Sequence, residues 1–213
     1  MIDKEVNFKK AQLTAFETIK KSKQTKLPIC VKSIIENEEN IHLIRYSSVA
    51  KKEDISIKEV VKTFGSKDGL TIYQGGKYVI YYNDRIIHEQ RIRFTLAHEL
   101  GHILLGHLSE ENCIHRNYIH YMDNNIFEKE ANYFAKNLLA PRPLIHLYDK
   151  RRNIDRKFIE KAFGISREMS RFVHEQFEKD KENGIYPHIH EINQQFEPYI
   201  SEMVRNDYDV ENN

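Results

Sequence analysis

Cysteine is scarce in this sequence, and neither sign of charge dominates it. The 213 residues include two cysteines, Cys30 and Cys113, which are too few to crosslink a chain of this size, so a reducing compartment suits it best. Lysine and arginine together number 33, against 32 aspartates and glutamates. This balance leaves no global field that would draw the chain to nucleic acid or to a membrane, and we do not expect direct nucleic-acid binding.

Long apolar runs are also absent from the sequence. No stretch approaches the roughly 18 apolar residues that a membrane-spanning helix needs. The first residues lack the apolar core of a secretory signal. These features predict a cytoplasmic protein with no membrane partner.

The spacing of apolar residues predicts a mostly helical α+β fold with a small sheet. Strands are expected at residues 42–46 and in a hairpin, where residues 70–73 and 78–82 flank a Gly-Gly turn. Helices are expected at residues 5–22, 29–35, 55–64 (ended by Gly65), 91–107 and 126–139, with two or three more in 144–180. We divide the chain into an N-terminal helical segment (1–36), a core domain (37–143), a C-terminal helical subdomain (144–180) and a weakly patterned tail (181–213).

One predicted helix carries the pattern H-E-L-G-H at residues 98–102. Positions i and i+4 of a helix lie about 40° apart and about 6 Å along its axis, so His98 and His102 can share one zinc ion at roughly 2.0–2.1 Å. Glu99 is placed to take a proton from a zinc-bound water without being a ligand. Gly101 costs a helix interior about 1 kcal/mol relative to alanine, which predicts a close approach by another segment.

A catalytic zinc ion needs a third protein ligand and one open position, and the next predicted helix offers a candidate. Glu128 opens that helix and can direct its carboxylate at the metal, while Asn132, one turn later, can hydrogen-bond a liganding histidine. Glu130 points about 200° away and is the weaker candidate. The plain alternative for Glu128 is a first-turn acid that the helix dipole favours.

Other polar residues near the motif stay open as ligands or substrate contacts. His107 follows His98 by nine positions, which is the wrong register for the third histidine of a metzincin. Cys113 and His115 could form a second metal pair, although a loop cysteine near a histidine is usually incidental. Four residues are candidates for contacting substrate or stabilising the oxyanion: His115, Tyr118, His120 and Tyr121.

Four short patterns follow one another within residues 81–141. They are YYND at 81–84, RFTLAHELGH at 93–102, LGH at 105–107 and E-x-x-A-N-x-F-A-x-x-L-L-x-P at 128–141. Together they resemble the ImmA/IrrE family of metallopeptidases, over residues from about 40 to 175. The resemblance implies a small gluzincin-like fold, an edge strand alongside the active-site helix, and Glu128 as the third ligand of Zn2+. It also implies a protein substrate, because members from mobile elements cleave the helix-turn-helix repressor of their own element.

The second hairpin strand has a possible role in this context. Metallopeptidases commonly hold substrate as an added strand on a sheet edge, and here Tyr78, Ile80 and Tyr82 would provide that strand. A plain hairpin that packs under the helix is the alternative.

The sequence thus predicts a zinc-dependent endopeptidase that cleaves a helix-turn-helix repressor of a phage or mobile element. Two other functions stay open. One is a metal-holding anti-repressor that binds its partner without cutting it, although such a binder has no need of Glu99 beside the metal. The other is a DNA-binding regulator that uses the C-terminal helices around residues 163–166, which have a helix–turn–helix character.

Overall fold

The structure confirms a mostly helical α+β fold. The computed structural model describes residues 5–108 and 121–211, with side chains for 5–108 and 126–206. The described part contains ten helices and three strands. In chain order these are α1 (Phe8–Ser22), α2 (Val31–Glu36), β1 (Ile41–Arg45), α3 (Tyr46–Glu53), α4 (Ile57–Phe64), β2 (Gly69–Gln74), β3 (Lys77–Tyr82), α5 (Glu89–Leu104), α6 (Tyr121–Leu139), α7 (Arg142–Asp149), α8 (Arg156–Phe163), α9 (Arg167–Glu182) and α10 (His190–Glu211).

The chain packs as two compact units, whose boundaries fall inside α1 and α6. The first unit is Met1–Thr14 with Val31–Ala135, and the second is Ala15–Cys30 with Lys136–Asn213. The division of the sequence into four segments stays a prediction.

The sheet belongs to the first unit and has the strand order β1-β3-β2. The predicted hairpin is confirmed, since β2 and β3 pair antiparallel on either side of the turn at residues 75–76. β1 pairs in parallel with the other side of β3. The prediction that Tyr78, Ile80 and Tyr82 form a substrate-binding edge is therefore wrong, because β3 is the central strand and both of its sides are paired. β2 is the outer strand on the hairpin side.

Helices cover the two faces of this sheet. Leu70 packs with Tyr46 and Val60 on the face that α3 and α4 cover. Because strand residues alternate between faces, Thr71 points to the opposite face, where α5 lies across β2 and β3. α5 thus presents one side to the sheet, and the motif at residues 98–102 lies over β2.

The interior of α5 follows its sequence pattern. Leu96, Leu100 and Ile103 form an apolar stripe on α5 and are buried, and Leu104 at the end of the helix is partly buried. The predicted close approach at Gly101 is also confirmed. A Cβ atom at Gly101 would lie 2.9 Å from Cδ1 of Phe134 and 3.3 Å from the backbone of Ala131, both on α6. The absence of a side chain at position 101 therefore lets α6 pack directly against α5.

The second unit is helical in its described part and includes two features that the sequence pattern did not assign. α10 occupies most of the tail and contains Pro198. Asp180 of α9 is buried and accepts hydrogen bonds from Arg142 and Gln176, with His146 at 3.3 Å. Within the described residues, no helix combines the length and apolar character needed to span a bilayer.

Candidate metal centre

Two imidazoles of α5 and one carboxylate of α6 meet at one point. Nε2 of His98 lies 3.0 Å from Nε2 of His102. The Glu128 carboxylate spans both rings, with Oε2 3.3 Å from His98 Nε2 and Oε1 3.4 Å from His102 Nε2. The Glu128 side chain is half exposed, so solvent reaches the place where these atoms converge.

These separations fit a metal ion. A tetrahedral ion with bonds of about 2.0–2.1 Å holds its ligand atoms about 3.3–3.4 Å apart, close to the three distances between the converging atoms. His98, His102 and Glu128 form the group of His, Cys, Asp and Glu side chains, within the described residues, that could hold a metal ion.

The outer nitrogen of His98 is held by α6. Nδ1 of His98 lies 3.1 Å from Oδ1 of Asn132, which can only accept, so Nδ1 carries the hydrogen. The lone pair of a neutral His98 is then on Nε2 and faces His102 and Glu128. Asn132 therefore contacts the nitrogen of His98 that faces away from His102 and Glu128.

The outer nitrogen of His102 meets a second buried pair of side chains. Nδ1 of His102 lies 3.1 Å from Nδ1 of His107, and Nε2 of His107 lies 2.9 Å from Oε2 of Glu130. Oε1 of Glu130 accepts a hydrogen bond of 2.6 Å from the backbone N–H of Asn7. His107 also stacks on Phe127, with ring centroids 4.5 Å apart.

A helix stop brings His107 to His102. The N–H of His107 donates to the carbonyl of His102, and the N–H of Gly106 donates to the carbonyl of Ile103. These are the two bonds of a Schellman motif, which requires the positive φ of +77° that Gly106 adopts. The side-chain contact across the motif, which is usually apolar, here joins two imidazoles.

The candidate base Glu99 is buried and is held from the sheet. Thr71 Oγ1 donates a hydrogen bond of 2.7 Å to Oε2 of Glu99. Thr71 is 2% exposed and Glu99 is 6% exposed. The hydroxyl thus holds one oxygen of the Glu99 carboxylate, whose charge acts on the adjacent His98.

The charges of the site favour an added cation. The neighbouring imidazoles of His102 and His98 hold the pKa of Glu128 far below its usual range, although burial opposes them. Burial alone would lower the pKa of His98, but the hydrogen bond with Glu128 and the charges of Glu99 and Glu128 outweigh it and raise that pKa. Burial lowers the pKa of His107, although the hydrogen bond with Glu130 opposes it.

The structure brings together four of the residues that the sequence selected for the metal and its surroundings: His98, His102, Glu128 and Asn132. Glu99 lies beside them. His115, Tyr118 and His120 lie outside the described residues, as do Cys113 and the side chain of Tyr121, although α6 begins at Tyr121. Sequence reasoning missed Thr71, and it considered His107 and Glu130 only as ligands. A glycine followed by histidine at the end of the motif helix was the available signal for His107.

Comparison with known proteins agrees with this geometry. The family model Peptidase_M78, described as the IrrE N-terminal-like domain, matches residues 50–172, which is more than half of the chain. No curated protein matches the chain. The match covers every described residue of the candidate metal centre except Asn7 and supports a metallopeptidase-type function, which implies a protein substrate. The chain therefore belongs to the ImmA/IrrE family of metallopeptidases.

Proposed function

We propose that this chain is a zinc-dependent endopeptidase that uses His98, His102 and Glu128 as metal ligands and Glu99 as general base. The observation that carries the proposal is the convergence of two histidine nitrogens and a carboxylate at mutual distances of 3.0–3.4 Å. Both histidines hold their outer nitrogens in hydrogen bonds, so their lone pairs converge with the carboxylate. Three acceptors at one point suit a cation, and two nitrogens with one oxygen suit zinc.

Zinc, Glu99 and Thr71 would each have a separate role in peptide hydrolysis. Zinc, when bound, supplies the Lewis acidity that activates water and polarises the scissile carbonyl. Glu99 takes a proton from the attacking water and delivers it to the leaving amine. The hydroxyl of Thr71 fixes the carboxylate of Glu99 in place for both transfers.

The outer edge of β2 is the surface that we assign to the substrate backbone, in place of β3. Asn83 donates to the carbonyl of Asp68, so residues with even numbers in β2 bond to β3 and those with odd numbers face outward. The outward groups of Gly69 bond to Ser66 Oγ. Thr71 and Tyr73 then offer their outward N–H and carbonyl groups to an added strand, next to Glu99.

The substrate that we propose is a helix-turn-helix repressor of a phage or mobile element, cleaved in the cytoplasm. The resemblance to the ImmA/IrrE family supports this substrate class. DNA binding through the C-terminal helices is disfavoured by charge on α9, because Arg171 and His174 lie beside Glu175 and Glu178. Gel shifts with the protein alone should show no sequence-selective binding.

Co-expression with a helix-turn-helix repressor chosen from the genes that flank this one tests the proposal. The wild-type chain should cut the repressor, and Glu99→Gln should retain zinc but leave the repressor intact, because the base is lost and the ligands remain. Glu89→Gln, at the exposed start of α5, is the matched control and should cut like the wild type. Repressor that is inactivated without being cut, by either protein, would support the anti-repressor function instead.

A further inference from the structure

The buried pair of His107 and Glu130 lies behind the candidate metal centre and does not reach the converging ligand atoms. His107 is 4% exposed and Glu130 is 7% exposed. They come from different parts of the first unit, since His107 follows the end of α5 and Glu130 lies on α6. Burying a carboxylate is costly unless hydrogen bonds satisfy it, and Glu130 accepts two, from Asn7 and His107. A buried charge kept at this cost calls for a reason beyond packing.

The hydrogens of this chain of contacts can be assigned from one end. Glu130 carries a carboxylate that only accepts, so Nε2 of His107 is the donor and Nδ1 of a neutral His107 is an acceptor. Nδ1 of His102 must then donate to it. A neutral His102 is left with its lone pair on Nε2, which is the atom that faces His98 and Glu128. The charge of Glu130 therefore determines, two contacts away, which nitrogen of His102 is available.

We propose that His107 and Glu130 are positioning residues that fix the tautomer and ring plane of His102, and that they thereby set the affinity of the site for zinc. The inference rests on the proposed function, since it assumes that His102 is a metal ligand. It also explains why Glu130, on the far side of α6 from Glu128, carries a carboxylate.

The two histidine ligands are held in different ways. His98 meets one amide oxygen of Asn132 on the facing helix. His102 meets a two-residue relay whose first member is fixed by the Schellman motif and whose second is fixed by a backbone N–H. Stacking on Phe127 keeps the ring of His107 from turning. His102 is thus the more constrained ligand, and loss of its contacts with His107 and Glu130 should weaken zinc binding.

Glutamine at position 130 should disturb the relay without changing its shape. Oε1 and Oε2 of Glu130 each accept one hydrogen bond, and glutamine keeps an oxygen at only one of these two positions, so its NH2 group must face either Asn7 or His107. If its NH2 group faces His107, the hydrogens reverse along the chain and His102 must place its hydrogen on Nε2, the ligand nitrogen. Glu130→Gln should therefore bind zinc about 10- to 100-fold more weakly.

Two replacements of His107 separate positioning from packing. Phenylalanine keeps an aromatic ring against Phe127 but offers His102 no acceptor, so His107→Phe should lose as much zinc affinity as Glu130→Gln. Asparagine can place its side-chain oxygen near the position of Nδ1, so His107→Asn should recover most of the affinity. A purely structural role predicts the opposite order, because asparagine leaves more empty volume than phenylalanine does.

The experiment measures zinc dissociation constants of the full chain by competition with a chelator, with Glu89→Gln as the control for loss of a carboxylate. Long-range 1H–15N spectra of the zinc-loaded wild type should show the hydrogen of His102 on Nδ1 and coordination through Nε2. If the wild type binds no zinc, the proposed function fails. If the wild type binds zinc but all variants match it, or His102 coordinates through Nδ1, the inference is overturned and the proposed function stands. The wild-type spectrum decides even where a variant does not fold.

Discussion

Replacing Gly101 with alanine sets two effects of opposite sign against each other. Alanine is favoured over glycine in a helix interior by about 1 kcal/mol. The added Cβ would meet Cδ1 of Phe134 at 2.9 Å and the backbone of Ala131 at 3.3 Å, whereas carbon atoms pack best at about 3.5–4.0 Å. The Phe134 ring can turn, but the backbone of Ala131 cannot move without α6, so the helices must separate by a few tenths of an ångström.

The magnitude follows from the cost of overpacking. Adding a methyl group to a tightly packed contact costs about 1–3 kcal/mol, so the free energy of unfolding should fall by up to about 2 kcal/mol after the gain in helix propensity. The same separation moves Glu128 relative to His98 and His102. A metal site must be held to within about 0.5 Å, and a shift of a few tenths of an ångström uses much of that range, so zinc affinity should fall modestly as well.

The assay is denaturant unfolding of the full chain, with a chelator titration on the same samples. Thr63→Ala is the matched control, because Thr63 is exposed on α4 and gains helix propensity with nothing to overpack, so stability should rise by about 0.5 kcal/mol. If Gly101→Ala also stabilises the protein and leaves zinc affinity unchanged, the close packing of α5 on α6 does not restrain the site, and the reasoning is refuted.

Two further predictions concern Thr71 and Asp180. Thr71→Val should lower kcat about 10- to 100-fold with KM and zinc content unchanged, because a hydrogen bond to a charged group is worth about 1.5–3 kcal/mol, and Thr71→Ser should restore the rate. Full activity of the valine variant would contradict a positioning role. Asp180 is buried; burial raises its pKa, but hydrogen bonds from Arg142 and Gln176 outweigh burial and lower it. Its contribution to stability is therefore complete above the unfolded pKa of about 3.9 and is lost as the pH falls through the lower folded pKa. Asp180→Asn should lower the free energy of unfolding by about 3 kcal/mol or more at pH 7. The urea midpoints of wild type and variant should converge below about pH 4. A difference between the midpoints that stays constant down to pH 2 would contradict the lowered pKa of Asp180.

Much of the fold and site could be predicted because the signals are local. The i, i+4 spacing of His98 and His102 requires only a helix, and the apolar stripe of α5 indicates that helix. Gly101 predicted a close neighbour for the same reason, since a glycine that costs a helix stability needs a packing cause. The hairpin was equally local, because a two-residue turn determines which strands pair.

The contacts that the sequence did not reveal join segments that are far apart in the chain. β1 pairs with β3 across more than thirty residues, and no local pattern states that pairing, so β3 was taken for an edge. Thr71 reaches Glu99 only because α5 crosses the sheet over β2. The tail was missed for another reason, since Pro198 interrupts the pattern of α10 without ending the helix.

The spacing of His107 from the motif concealed its contact with His102. Its register from His98 excludes it as a third ligand on a continuous helix, but the helix ends at Leu104 and Gly106 turns the chain back. The residue after that glycine then lies against His102 instead of continuing along the axis. A helix stop directly after a metal motif is therefore a signal for an outer contact of the last ligand, and it can be read from the sequence alone.

The close approach of α6 to Gly101 of α5 positions both residues of α6 that contact the motif histidines. Ala131, which touches Gly101, lies between Glu128 and Asn132 in the chain, so one turn of α6 carries the proposed third ligand, the packing residue and the partner of His98. A rotation of α6 that withdrew Glu128 from the metal would also withdraw Asn132 from His98. Because Gly101 has no side chain, α6 can lie close enough to α5 for Glu128 and Asn132 to reach the two histidines. The spacing of the histidines on α5 is therefore insufficient by itself to form the site.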